Sequence, residues 1–136
     1  MGRLQEFLME NKRDMNETTE IKVTGFPYPF IVKPITVEQN EMLTKMSTKV
    51  TFDKKSHQRT EYMDQNAYTK RLVSACCIDP NFRDAEFQAT RGVTSAEELI
   101  AKLFTNGQFS ELVEGVLKVN DFNFETTDDL IEEAKN

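Results

Sequence analysis

The 136-residue chain predicts an α+β fold that is mainly helical: a helix cluster with one or two N-terminal β-hairpins and a short N-terminal helix. Three observations predict it. From Tyr68 to Leu117, helix stops alternate with helix starts, and apolar stripes lie between them. Upstream, short β-branched and aromatic runs flank turn residues, which is a hairpin pattern. The length fits one domain able to bury a core without metal or disulfide, and no linker is long enough to split it. Residues 1–136 therefore read as a single domain.

Leu4, Phe7 and Leu8 recur at helical spacing, so residues 3–12 read as an amphipathic helix. A helix of this length is marginal alone and must dock on the domain or on a partner. Residues 13–19 are polar and read as a linker, which makes 1–12 a detachable helix. Glu20-Ile21-Lys22-Val23 and Phe30-Ile31-Val32-Lys33 predict a hairpin around Gly25-Phe26-Pro27-Tyr28-Pro29, with the prolines in the turn or at an edge because they lack a ladder N–H. Thr36 and Gln39 have capping-box spacing and open a helix through about Met46. Met42, Leu43 and Met46, with Ile35 before them, give it an apolar face. Lys49 to Met63 admits two readings. Val50-Thr51-Phe52 and Arg59-Thr60-Glu61-Tyr62 pair as a second hairpin around a basic turn, or the segment is a mobile loop.

Asp64 caps the next helix, in which Tyr68, Leu72, Ala75 and Cys76 share a face. Pro80 stops it by disfavouring helical backbone at Asp79. Asp84 starts a short helix carrying Phe87, and Gly92 supplies a left-handed C-terminal cap. Ser95-Ala96-Glu97-Glu98 is a capping box for a helix carrying Leu99, Ile100, Leu103 and Phe104. After Gly107, a helix carries Phe109, Leu112, Val113, Val116 and Leu117, the cleanest stripe in the chain. Thr126 or Thr127 caps a last short helix holding Leu130 and Ile131.

Composition narrows the function. With 38% hydrophobic and 29% charged residues, the chain suits a small, well-solvated domain. No apolar run approaches the roughly 20 residues that span a bilayer, and charges interrupt the N-terminus where a signal peptide needs an apolar stretch. The expected compartment is the cytosol, with no membrane partner. Residues 1–60 hold ten Lys and Arg against eight Asp and Glu, a balance of +2, whereas residues 61–136 hold seven against fifteen, a balance of −8. An acidic C-terminal half opposes docking on phosphate backbones.

Nothing has the chemistry of an active site. His57, the one histidine, lies in a Lys-rich loop with no acidic or nucleophilic partner nearby in sequence and reads as a solvated residue. Cys76 and Cys77 are adjacent; a vicinal disulfide would strain the backbone, and tetrahedral metal sites use spaced pairs. They read as small buried residues. Glu97-Glu98 and Asp128-Asp129 suit the first turns of helices through the macrodipole, and Glu132-Glu133 reads as solvated. The five glycines are scattered and form no phosphate loop. Lys54, Lys55 and Arg59 are a weak electrostatic footprint for nucleic acid. No enzyme, cofactor, metal or nucleic-acid partner is expected. A chain that spends its specificity on helix ends and apolar stripes is built to bind another protein, and Leu4, Phe7 and Leu8 are the candidate contact residues.

Several blocks form a run, and two of them, Pro80 to Glu86 and the terminal Ala134-Lys135-Asn136, have a spacing that generic helix patterning does not demand. The run begins with Leu4-Gln5-Glu6-Phe7-Leu8, the strand from Phe30 leading into Pro34-Ile35-Thr36-Val37-Glu38, and Tyr68-Thr69-Lys70-Arg71-Leu72-Val73. Pro80-Asn81-Phe82-Arg83-Asp84-Ala85-Glu86-Phe87-Gln88, Gly107-Gln108-Phe109-Ser110-Glu111-Leu112 and the terminal Ala134-Lys135-Asn136 continue the run. This run resembles the XkdN-like tail assembly chaperones of phages and prophages in Gram-positive hosts. The likeness covers nearly the whole chain. The first hairpin is shorter and richer in proline than the family's, and Cys76-Cys77 replaces small or β-branched residues.

The resemblance implies a non-enzymatic protein that binds the tape measure protein and keeps it soluble while the tail tube assembles. The major tail tube protein is a further candidate partner, and weak self-association is compatible with the role. It also implies residence in the bacterial host cytoplasm and absence from the mature virion. The alternatives from other classes are a structural tail completion or adaptor subunit of the virion, and a small nucleic-acid-binding regulator using Lys54 to Arg59.

Overall fold

A computed structural model describes residues 2–10 and 17–121. Six helices and two antiparallel sheets make up the described part, so the fold is α+β. Helix α1 (Arg3–Glu10) precedes strands β1 (Thr19–Ile21) and β2 (Phe30–Val32), which pair with Thr19 opposite Val32 and Ile21 opposite Phe30. The predicted hairpin therefore forms, and it begins at Thr19, the last residue of the expected linker. Lys12 and most of that linker lie outside the described residues, as does the helix expected after Thr126 or Thr127 with Leu130 and Ile131.

Helix α2 (Val37–Met46) starts at the predicted box. The Gln39 N–H donates to Thr36 Oγ1 at 3.1 Å, and the Thr36 N–H donates to Gln39 Oε1 at 2.9 Å. Each bond satisfies a donor that the first helical turn leaves without a carbonyl. Its inward stripe differs from the expected one. Asn40, Leu43 and Ser47 turn to the body, while Met42 and Met46 remain exposed. Polar groups could occupy that stripe because each finds a partner: Asn40 Oδ1 accepts the Tyr68 hydroxyl, and Ser47 Oγ accepts from Arg71 Nη1 at 3.0 Å.

The segment with two readings folds as a hairpin, β3 (Thr48–Asp53) against β4 (Gln58–Met63), with His57 at φ 58° in the turn. Only its two end residues, Thr48 and Met63, are even partly buried. A lone hairpin is marginally stable in water, so its base is tied down. The Asp64 N–H donates to Ser47 O at 2.8 Å, and Lys49 Nζ meets Asp64 Oδ2 at 2.7 Å.

Helix α3 (Gln65–Cys76) is capped by Asp64, as predicted, but it ends before Cys77 rather than running to Asp79. Cys77–Asp79 instead forms β5, which pairs antiparallel with β2 and gives a sheet ordered β1-β2-β5. The free edge of β2 needs partners for its backbone groups, and β5 supplies them; the adjoining Lys33 N–H bonds Cys76 O at 2.9 Å. Helix α4 (Ala85–Thr90) follows, with Gly92 left-handed at φ 69°.

Helix α5 (Ala96–Leu103) receives only half of its expected box, the Glu98 N–H to Ser95 Oγ bond at 3.2 Å. It stops one residue early. Phe104 adopts extended backbone and places its ring among Phe26, Phe30, Phe82 and Phe109, at centroid distances from 5.5 to 6.0 Å. Helix α6 (Asn106–Val119) begins at a box not foreseen in the sequence, Thr105 with Gln108, which puts Gly107 inside the first turn. Its Leu112, Val113, Val116 and Leu117 are buried against α3 and the three-stranded sheet. Each such side chain contributes about 1.5–3 kcal/mol of transfer free energy.

Candidate interaction surface

The three residues singled out in the N-terminal helix share one face of α1 because they sit three and four positions apart. Leu4 is 69% exposed, Phe7 51% and Leu8 52%, and no residue of α1 is buried. Sequence reasoning found this face. The structure gives it no apolar cover.

A second open surface lies on the body and was missed. Met42 and Met46, one turn apart on α2, are 60% and 58% exposed. They form one lip of a groove of about 400 Å³ that runs between α2, α3 and α5. Ala75 and Ala96 line it, so the space is left by side-chain smallness. Arg71 stiffens the groove: its Nη1 donates to Met46 O at 2.7 Å, and its Nε donates to Glu97 Oε1 at 3.2 Å. One guanidinium thus ties the end of α2 to α3 and to the start of α5. Its positive charge also sits favourably on the C-terminal carbonyls of α2. The signal in the sequence was the i, i+3, i+7 set Asn40, Leu43, Ser47, whose polar members hid an inward face.

A third opening, of about 340 Å³, is lined by Phe26, Tyr28, Phe87, Arg91 and Phe104, with Pro80 beside them. Tyr28 stands almost clear of the body. The prolines at 27 and 29 lie in the turn between β1 and β2, as predicted.

Cys76 and Cys77 are free and buried. Burial pushes both thiols up, Cys77 to about 12 with Asp79 adding to the rise. Such thiols are unreactive. His57 is exposed at the tip of the β3–β4 hairpin, with its ring 6.3 Å from that of Phe52. Arg59 is paired with Glu61 at 3.0 Å, which removes part of the basic cluster. Glu97 and Glu98 lie in the first turn of α5. Among the described residues, no group of three His, Cys, Asp or Glu could hold a metal ion, and no helix is long and apolar enough to cross a membrane.

Apolar faces left open beside a closed core are the build of a protein-binding module. Residues 4–135 match the family described as phage XkdN-like tail assembly chaperone protein, and the chain belongs to that family. It is similar to the phage-like element PBSX protein XkdN of Bacillus subtilis (strain 168), with 29% identity over 131 residues, 88% of this chain and 86% of that one. Its fold is similar to the crystal structure of the protein YqbN, with a TM-score of 0.66 at 18% identity over 86% of this chain and 95% of that one. The family is one of tail assembly chaperones, not of enzymes, and its role implies protein partners in the tail.

Proposed function

We propose that this chain binds the tape measure protein and keeps it soluble while the tail tube assembles, without catalysis. The observation that carries the reading is the exposed apolar face of α1, Leu4, Phe7 and Leu8, in a chain of a tail assembly chaperone family. A long helical chain exposes repeated apolar faces that would otherwise associate indiscriminately. A detachable helix ahead of a single folded domain offers such faces a transient partner. A few apolar contacts at about 1.5–3 kcal/mol each, less the cost of association, give weak binding per copy. Many copies on one client make the coat effective, and weak individual contacts permit displacement. The net charge of −6 keeps a crowded coat dispersed. The chain acts in the host cytoplasm and leaves before the virion is complete, with the tail tube protein as a second contact.

Co-expression tests this reading. An insoluble tape measure fragment should move into the soluble fraction when this chain is made beside it. A fragment that stays insoluble at every expression ratio contradicts the proposal.

A further inference from the structure

The groove on the body and the face of α1 are complementary in chemistry. The groove offers two exposed methionines above small side chains, and thioether side chains reshape easily around an apolar helix face. Ala75 and Ala96 line the groove with small side chains, and Phe7 is the large residue of the α1 face. The ionic residues lining the groove are Arg71, Arg83 and Glu97, a balance of +1 within a chain of net −6. Those of α1 are Arg3, Glu6 and Glu10, a balance of −1. A groove with surplus positive charge thus suits a helix with surplus negative charge.

The geometry points to α1 of one copy docking in the α2–α3–α5 groove of a second copy, Leu4, Phe7 and Leu8 packing against Met42 and Met46. A second copy is favoured over the same chain because Leu4, Phe7 and Leu8 and the groove's Met42 and Met46 are all exposed in the folded chain, so α1 does not fill its own groove. The mode is a helix in a groove, with its anchors at i, i+3 and i+4. Self-docking uses the same face of α1 as the proposed client contact, so the two compete for it, and self-association is tested without a client.

The experiment is sedimentation equilibrium of the full chain over a wide concentration range. The wild type should show a mass that rises above 15.7 kDa with concentration. Phe7→Asp and the double variant Met42→Glu with Met46→Glu should each weaken association by about tenfold or more. An equimolar mixture of the two should recover association, since one supplies an intact groove and the other an intact α1. Circular dichroism checks that each variant is folded. Should the methionine variant lose its fold, Arg83→Glu takes its place, with a smaller loss expected. A wild type that remains at 15.7 kDa throughout overturns the inference. So does a mixture of folded variants that stays monomeric.

Discussion

Gly115, in the middle of α6, lies against Ile21 of β1 so closely that a Cβ there would stand 2.8 Å from Ile21 Cγ1 and 2.9 Å from Cγ2. The missing side chain lets the first strand seat on the helix that carries the core stripe. Alanine usually improves a helix interior over glycine by about 0.5–1 kcal/mol. Here overpacking against a stiff β-branched side chain, at about 1–3 kcal/mol, outweighs that gain. Gly115→Ala should lower stability by about 1 kcal/mol in urea titration. In an Ile21→Ala background the same change should become stabilising.

Asn120 closes the other end of α6. Its Oδ1 accepts the Ile35 N–H at 2.9 Å, and its Nδ2 donates to Val116 O at 2.9 Å and to Cys76 Sγ at 3.4 Å. Asn120→Ala leaves the partly buried Ile35 N–H without an acceptor and should cost about 1–3 kcal/mol. Thermal melts should show a clear drop in midpoint, with the fold retained.

Stability should form a plateau bounded by two ionisations. The Lys49 ammonium and the Ala67 N–H hold the Asp64 carboxyl below its ordinary range. A depressed folded pKa adds stability above the unfolded value, and that stability is lost as pH falls through the folded one. The acid limb should therefore fall below about pH 4. Asp64→Asn keeps a capping oxygen; it should lower stability at neutral pH and converge with wild type in acid. The raised Cys77 pKa acts oppositely, because the folded state retains a proton that the unfolded thiol loses above roughly pH 8.5. Stability should decline from there up to about pH 12, and Cys77→Ala should reduce that limb without removing it, because burial raises Cys76 and Tyr68 as well. Neither cysteine should react with a thiol reagent until the chain unfolds.

Leu4→Asp with Leu8→Asp should leave circular dichroism and the melting midpoint almost unchanged, since both side chains are exposed. A collapse of the fold would place α1 in the core and remove the partner face.

Much of this architecture was legible in the sequence because its signals are local. Asp64, Asp84, Thr36 and Ser95 cap helices through bonds to residues two or three positions on, and Gly92 needs only its own backbone angles. The α6 stripe was equally plain. Non-local pairing was not legible. Cys77–Asp79 became a strand because β2, more than forty residues upstream, had an open edge. Phe104 left its helix for a ring cluster drawn from four other segments. The α2 face is not legible from hydrophobicity alone, because its inward stripe is partly polar. Asn40 and Ser47 are inward only because Tyr68 and Arg71, on another helix, satisfy them. That same fact exposes Met42 and Met46 and so creates the groove. The face of α1 was visible, because an amphipathic helix ahead of a polar stretch shows its spacing without tertiary help.

The most direct measurement is calorimetric titration of a soluble tape measure fragment with the full chain, beside the Leu4→Asp, Leu8→Asp variant. The account predicts several copies bound per fragment, each with roughly micromolar affinity, and no binding by the variant. Heat no greater than dilution for the wild type, or equal binding by the variant, would contradict it.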